Sequence, residues 1–189
     1  MSHDIPTEIE QLVEALDAAE RDAQALVDGL SEEIGTRRVK AGSWSVAECL
    51  DHLELANRLY LEAMQEPAER ARQQGRLRRR PAKPGLLGGL FVAQLEPPPR
   101  RWMPLKAPPK ILPQPSPPLA ETAVRFMNTQ SNVRNFLLAN ADLDLYSIRF
   151  KNPFIGVIYF SLATGLHVIP AHERRHLLQA WNVRRALEG

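Results

Sequence analysis

Apolar side chains recur at intervals of three and four residues along most of this chain, and this spacing is the strongest constraint on its fold. An α-helix has about 3.6 residues per turn, so such positions line one helix face, whereas a half-buried strand requires strict alternation. No segment shows a convincing alternation. The sequence therefore predicts an all-α protein whose helices bury their apolar faces against one another.

Four long helical patterns predict a four-helix bundle. Ser45 and Glu48 fit a capping box, which marks the start of the second helix, and Pro67 is expected to end it. Pro170 lies inside the fourth pattern, where a kink or a break is expected because proline lacks a backbone donor. The four patterns cover about residues 6–30, 45–65, 119–139 and 153–187.

A long segment, about residues 66–118, separates the second and third patterns, and we call it the crossover. Its first part is rich in arginine, and its second part holds ten prolines between Pro97 and Pro118. A middle connection of this length is typical of bundles with parallel neighbouring helices, so the predicted topology is up-down-down-up. Residues 1–189 are expected to form one such domain. The apolar residues 86–92 are expected to pack back onto the bundle or onto a second subunit.

The charge of the chain gives little reason to expect a nucleic-acid partner. The 24 Lys and Arg residues nearly balance the 22 Asp and Glu residues. The arginine-rich part of the crossover could contact phosphates, but only Trp102 lies nearby to stack on a base. We therefore expect a solvated, partly mobile loop there and no nucleic-acid partner.

The longest apolar run, about residues 154–171, is nearly long enough to span a bilayer. It also holds Ser161, Thr164 and Pro170 and lacks a flanking aromatic belt, so it predicts a buried bundle helix and no membrane partner. A single cysteine, Cys49, excludes an internal disulfide, and the first residues do not form a secretion signal. These observations together predict a cytoplasmic protein.

Three histidines form the most specific pattern in the sequence. His172 and His176 are four residues apart, so both rings project from one face of the fourth helix, one turn apart. That face also carries Gln179, whereas Glu173 falls on the charged opposite side. His52 lies at the edge of the apolar face of the second helix. Three inward imidazoles from two helices can bind one divalent ion and leave a coordination position open, which is typical of catalytic zinc sites.

Residues 172–176, HERRH, also spell a zinc-protease motif, in which two histidines bind the metal and the glutamate acts as a general base. The surrounding residues do not support this interpretation. Gln179 stands where one class of these proteases has glycine. Glu173 falls on the charged side of its helix, where solvation or pairing with a neighbouring arginine explains it.

Two blocks of the sequence share their order of motifs with a known family of helical proteins. GSWSVAECLDHL, at residues 42–53, is similar to a Trp-Ser helix start that leads to a histidine. NPFIG at 152–156, followed by HERRHLLQ at 172–179, is similar to a closing helix with paired histidines and a following glutamine. In both blocks the chain resembles the DinB-like family, the DNA-damage-inducible helical proteins.

The resemblance implies a DinB-like four-helix bundle in which His52, His172 and His176 bind zinc, nickel or a similar divalent ion. Relatives with assigned chemistry include transferases and isomerases that use a low-molecular-weight thiol, and others are metal-dependent hydrolases. The first hypothesis is therefore a thiol (S-)transferase-like or hydrolytic enzyme that acts on a small-molecule substrate. Gln179 and Glu173 are candidates to hydrogen-bond a metal ligand or the substrate. Homodimers are common in such proteins.

The second hypothesis is a non-enzymatic binding or stress-related helical protein. In this case the histidines are a relic or a pH-sensitive cluster in the core, and the crossover contacts partners through its arginines and prolines. Both hypotheses remain open on the sequence alone.

Overall fold

The computed structural model of the protein describes residues 5–98 and 107–189. These residues are mostly helical, with one short two-stranded sheet, so the predicted all-α class is confirmed. Pro99, Trp102 and Pro104, which entered the interpretation of the crossover, lie outside the described residues. The elements are α1 (Thr7–Val27), α2 (Glu32–Thr36), α3 (Val46–Gln73), α4 (Leu86–Leu95), a 3₁₀ turn (Pro109–Ile111), α5 (Leu119–Ala139), β1 (Arg149–Lys151), β2 (Tyr159–Ser161) and α6 (Leu162–Glu188).

Helices α1, α3, α5 and α6 form the bundle, in which α1 and α3 each pack against both α5 and α6. The amide of Ala82 donates to Glu8 and the carbonyl of Ala82 accepts from His167, so the N-terminal parts of α1 and α6 are neighbours. At the opposite end of the same two helices, Arg184 donates to the carbonyl of Leu26. Helices α1 and α6 are therefore parallel.

Helices α3 and α5 are parallel to each other and antiparallel to this pair. Asp51 near the start of α3 pairs with Arg125 near the start of α5, and Arg72 near the end of α3 contacts the carbonyl of Ala139 at the end of α5. One buried cluster joins the start of α1 to the ends of α3 and α5, and a second cluster joins the end of α1 to their starts. The predicted up-down-down-up topology is confirmed.

The start of α3 has the predicted capping box. The Ser45 hydroxyl accepts from the Glu48 amide at 3.1 Å, and the Glu48 carboxylate accepts from the Ser45 amide at 2.8 Å. Each side chain thus satisfies a backbone donor that the first turn of a helix leaves free. Glu48 is buried and also pairs with Arg38, which ties the preceding loop to this helix start.

The prediction that the second helix ends before Pro67 is wrong, because α3 continues through Pro67 to Gln73. A proline inside a helix loses one backbone hydrogen bond and crowds the preceding turn. Tertiary contacts of the last two turns offset this cost: Ala68 and Ala71 are buried in the core, and Arg72 pairs with Asp142 beyond α5. The packing of this segment outweighs the local preference of the proline.

The predicted start of the fourth helix near residue 153 is also wrong. Residues 149–161 form an antiparallel hairpin in which Phe150 pairs with Phe160, and both rings are buried. The Asn152 side chain accepts from the amides of Phe154 and Ile155, which stabilises the loop between the strands. Helix α6 then begins at Leu162, where the Ser161 hydroxyl caps it.

The sequence predicts a kink or a break at Pro170, and of these two outcomes the break is absent, because α6 continues through Pro170 to Glu188. Nearly every residue from Leu162 to Ala171 is buried, and α6 packs against α1, α3 and α4. The prediction of a buried bundle helix is therefore confirmed for residues 162–171 of the apolar run, whereas residues 154–161 belong to the hairpin. Within the described ranges, no helix combines the length and apolar character needed to cross a bilayer.

The crossover is more structured than a solvated, partly mobile loop. Arg78 pairs with Glu8 of α1, and the amide of Arg78 donates to the carbonyl of Asp142 at 2.8 Å. Residues 86–95 form α4, which packs on α6 as the apolar composition predicted. Ion pairs and apolar burial therefore attach the described parts of the crossover to the bundle, although several of its arginines remain exposed.

Two adjacent glycines provide a test of how α4 docks. A Cβ added to Gly88 would collide with the Thr164 side chain, whereas a Cβ added to Gly89 would meet no atom within 4 Å. Both changes to alanine gain similar helix propensity, about 1 kcal/mol, so their difference isolates the contact. We expect Gly88→Ala to be less stable than Gly89→Ala by about 1–3 kcal/mol in urea unfolding. Equal stabilities would contradict the observed docking of α4 on α6.

Candidate metal centre

The three predicted histidines meet between α3 and α6. These helices are antiparallel neighbours, so His52 near the start of α3 lies opposite the middle of α6, where His172 and His176 are one turn apart. The ring of His52 is 4.9 Å from that of His172 and 4.5 Å from that of His176, centroid to centroid. One candidate ligand atom from each residue lies within 4.8 Å of the other two, so the three rings could hold one metal ion.

Hydrogen bonds occupy Nδ1 of His52 and Nδ1 of His176, which leaves Nε2 of both rings available to a metal ion. His52 Nδ1 lies 2.6 Å from the carbonyl oxygen of Ile111, which can only accept, so Nδ1 carries the proton. His176 Nδ1 lies 3.0 Å from Gln179 Oε1 in the same way. Both rings therefore present Nε2 as an unprotonated nitrogen when they are neutral. Gln179, a candidate from the sequence, contacts a histidine of the cluster directly.

The electrostatic environment keeps the three rings neutral, which is the form that binds metals. Burial lowers the pKa of His172 well below its usual value, and the neighbouring His176, His52 and Arg175 lower it further. Burial also lowers the pKa of His176 to about 3. Burial lowers the pKa of His52 as well, despite the opposing effects of the Ile111 hydrogen bond and the charge of Asp51.

These donors fit a divalent transition-metal ion. His52 Nε2 and His172 Nε2 are 3.1 Å apart. Two nitrogens that bind one tetrahedral zinc ion at its usual bond length lie about 3.3 Å apart, so the observed spacing is close to that of a ligand pair. Neutral imidazole nitrogen is a donor that zinc, copper, iron and nickel all accept, and a set of three leaves room for a further ligand.

Trp44 covers the histidine cluster from one side. Its ring lies 4.7 Å from the ring of His52 and 5.6 Å from that of His176. It comes from the loop immediately before the Ser45 cap, so the capping box also positions this aromatic ring. Sequence reasoning assigned Trp44 no role at the site, although it belongs to the motif at residues 42–53.

The cluster opens into a cavity of about 350 Å³, which is within the range of small-molecule sites. The crossover forms one wall of this cavity with residues from α4 and the 3₁₀ turn, and the loop after β1 forms another. Most of the lining is apolar, and besides the histidines its polar side chains are those of Ser43, Tyr60, Asn152, Arg175 and Gln179. The lining includes Trp44, Tyr60, Phe91, Leu95, Ile111, Asn152, Phe154, Val168, Arg175 and Gln179.

The sequence placed Glu173 on the charged outer side of its helix, and this is wrong. The side chain is fully buried, and Oε1 accepts from the Asn57 amide at 2.6 Å. Burial raises the pKa of Glu173 to about 8, although the amides of Asn57 and Gln130 oppose this shift. Because α6 packs against several neighbours, its buried arc is wider than the charge pattern indicates.

The burial of Glu173 also bears on the protease interpretation. A general base must reach the reacting atoms, yet Glu173 points into the bundle and does not belong to the described lining of the cavity. The HERRH segment therefore supplies two histidines to the cluster without the accessible glutamate that the protease motif requires.

Comparison with known proteins supports the resemblance seen in the motifs. The sequence profile of the DinB superfamily matches residues 15–180, which include the second part of α1, all of α3 and α5, and all three histidines. No curated protein and no solved structure gives a significant match to the chain. The profile covers well over half of the chain, and the helical fold with its three converging histidines agrees with it. The chain belongs to the DinB superfamily.

Proposed function

We propose that this protein is a divalent-metal-dependent enzyme that acts on a small molecule by thiol transfer or hydrolysis. The observation that carries the proposal is the convergence of His52, His172 and His176 at the wall of an apolar cavity. Nε2 of His52 and His176 and a nitrogen of His172 would hold zinc or nickel. Three protein ligands leave a coordination position for a substrate group, as in catalytic sites.

The residues around the cluster would orient the ligands and exclude water. The Ile111 carbonyl and the Gln179 amide hold the rings of His52 and His176 through Nδ1, which keeps their Nε2 atoms available. Trp44 and the apolar wall would limit the access of solvent to the reacting groups. A bound divalent ion supplies Lewis acidity and lowers the pKa of a thiol or a water molecule, so that a nucleophile exists near neutral pH.

A thiol used in this reaction would have to come from solution, because the thiol of the chain is inert. Cys49 is fully buried in the core, and burial raises its pKa far above the usual value for cysteine. Only the thiolate is a strong nucleophile, so Cys49 cannot serve as one in the folded protein. A low-molecular-weight thiol is therefore the proposed co-substrate of the transferase alternative.

The inertness of Cys49 can be measured by alkylation. With iodoacetamide at pH 8, we expect the folded protein to react at least about a hundredfold more slowly than the same protein in guanidinium chloride, because the thiol is buried and protonated. Mass spectrometry of the intact chain follows the reaction. Alkylation of the folded protein at the rate of the unfolded chain would show that Cys49 is accessible.

Metal content tests the proposal directly. We expect untagged protein purified without added metal to carry, or to take up, about one zinc or nickel ion per chain. Replacement of one ligand, in His172→Ala or His52→Ala, should abolish tight binding, as measured by elemental mass spectrometry. His167→Gln is a matched control, because His167 also lies on α6 but hydrogen-bonds the carbonyl of Ala82 outside the cluster.

Thermal unfolding adds a second readout. An ion that binds only the folded state should raise the melting temperature of the wild type, and a chelator should reverse the increase. Unchanged metal content in His172→Ala and His52→Ala would contradict the three-histidine site. Protein that takes up neither zinc nor nickel would favour the second candidate, a binding protein that uses the crossover, where Leu86, Leu87 and Leu90 are exposed.

A further inference from the structure

Arg175 is a charged residue in the wall of the cavity, and the proposed function does not use it. It lies on α6 between His172 and His176, and it belongs to the lining of the cavity that these histidines share. Apart from the histidines, no other residue of the described lining carries a charged side chain. Nη1 donates to the carbonyl of Gln94 at 3.3 Å, and within residues 5–98 and 107–189 the guanidinium has no other hydrogen-bond partner, which leaves most of its five N–H donors for a ligand.

The charge of Arg175 is not balanced by an acidic side chain in the described parts of the chain. The ion pairs in residues 5–98 and 107–189 include Arg174 with Glu96, but none of them involves Arg175. The acids next to the histidines have other partners, since Asp51 pairs with Arg125 and Glu173 accepts from an amide. Burial lowers the pKa of Arg175, which reflects the cost of holding an uncompensated cation there.

An anion is the occupant that this arrangement favours. A divalent ion at the histidines would add to the positive charge of Arg175, and the described lining contains no carboxylate to offset either charge. A guanidinium also matches the planar geometry of a carboxylate, with two parallel hydrogen bonds. The remaining walls are formed largely by apolar side chains such as Phe91, Phe154 and Val168, which suit a hydrocarbon or aromatic body.

We propose that the substrate is a small amphipathic carboxylate whose acidic group pairs with Arg175 beside the histidine cluster and whose apolar body lies against Phe91 and Phe154. This inference rests on the proposed function and adds a substrate class to it. His52 and Tyr60 of α3 both line the cavity, and they are separated by about 12 Å along the helix axis. A molecule with one ring and a short acidic chain fits this length.

Calorimetric titration of the full-length protein with phenylacetate and its neutral analogue phenylacetamide tests the proposal. We expect the wild type to bind phenylacetate at least about tenfold more tightly, in both the zinc-loaded and the metal-free protein. Arg175→Met should remove this preference. Arg174→Met is the matched control, because the neighbouring arginine pairs with Glu96 outside the cavity, and it should keep the preference.

Metal content and melting temperature are measured on the same samples, so the two proposals can fail separately. Loss of the preference in Arg175→Met with zinc content unchanged supports the assignment. Arg175→Lys keeps the positive charge but lacks the planar guanidinium with its paired donors, so it should retain part of the preference for phenylacetate. This variant replaces Arg175→Met in the test if Arg175→Met does not fold. Equal affinity of the wild type for the two probes, binding of neither, or a preference that survives Arg175→Met would overturn it. Absence of zinc from every sample would overturn only the metal centre, because the metal-free titration still reports on Arg175.

Discussion

The antiparallel packing of α3 against α6 is the contact on which the rest of the site depends. It places His52 opposite the pair on α6, and the Ser45 cap at the start of α3 sets the position of Trp44 beside the rings. Neither helix could build the cluster alone. Two histidines one turn apart on one helix can reach the same ion, but a third ring must come from a second helix. The two buried clusters of the bundle core pack on either side of this contact and hold the two helices together.

The crossover completes the site that the bundle begins. The Ile111 carbonyl orients His52, and residues from α4 line the cavity, so the connection acts as a wall and as a partner of the proposed metal ligands. The attachment is distributed, through the Arg78 pair with Glu8, the contact of Gly88 with Thr164 and the Arg174 pair with Glu96. Loops vary in sequence and length more than the elements that they connect. A different crossover would therefore give the cavity a different shape on the same four-helix bundle.

Helix α6 separates three kinds of polar group by direction. Glu173 points into the bundle and is hydrogen-bonded there, Arg174 points outward to the crossover, and Arg175 lines the cavity with the two histidines. Residues 172–176 thus contribute side chains to the bundle core, to the attachment of the crossover and to the histidine cluster with its cavity. This division explains why a five-letter motif match alone misassigns the glutamate, since the role of each side chain depends on what faces it.

Local features of the sequence determined the all-α class, the bounds of α5, the capping box at Ser45 and the placement of His172 and His176 on one face. These features depend on spacing within a few turns, which the sequence shows directly. Tertiary structure alone decided the continuation of α3 through Pro67, the hairpin before α6, the burial of Glu173 and the exposure of Arg175 to the cavity. Each of these depends on which neighbour packs against the segment, because burial against a partner can outweigh the local preference of a residue.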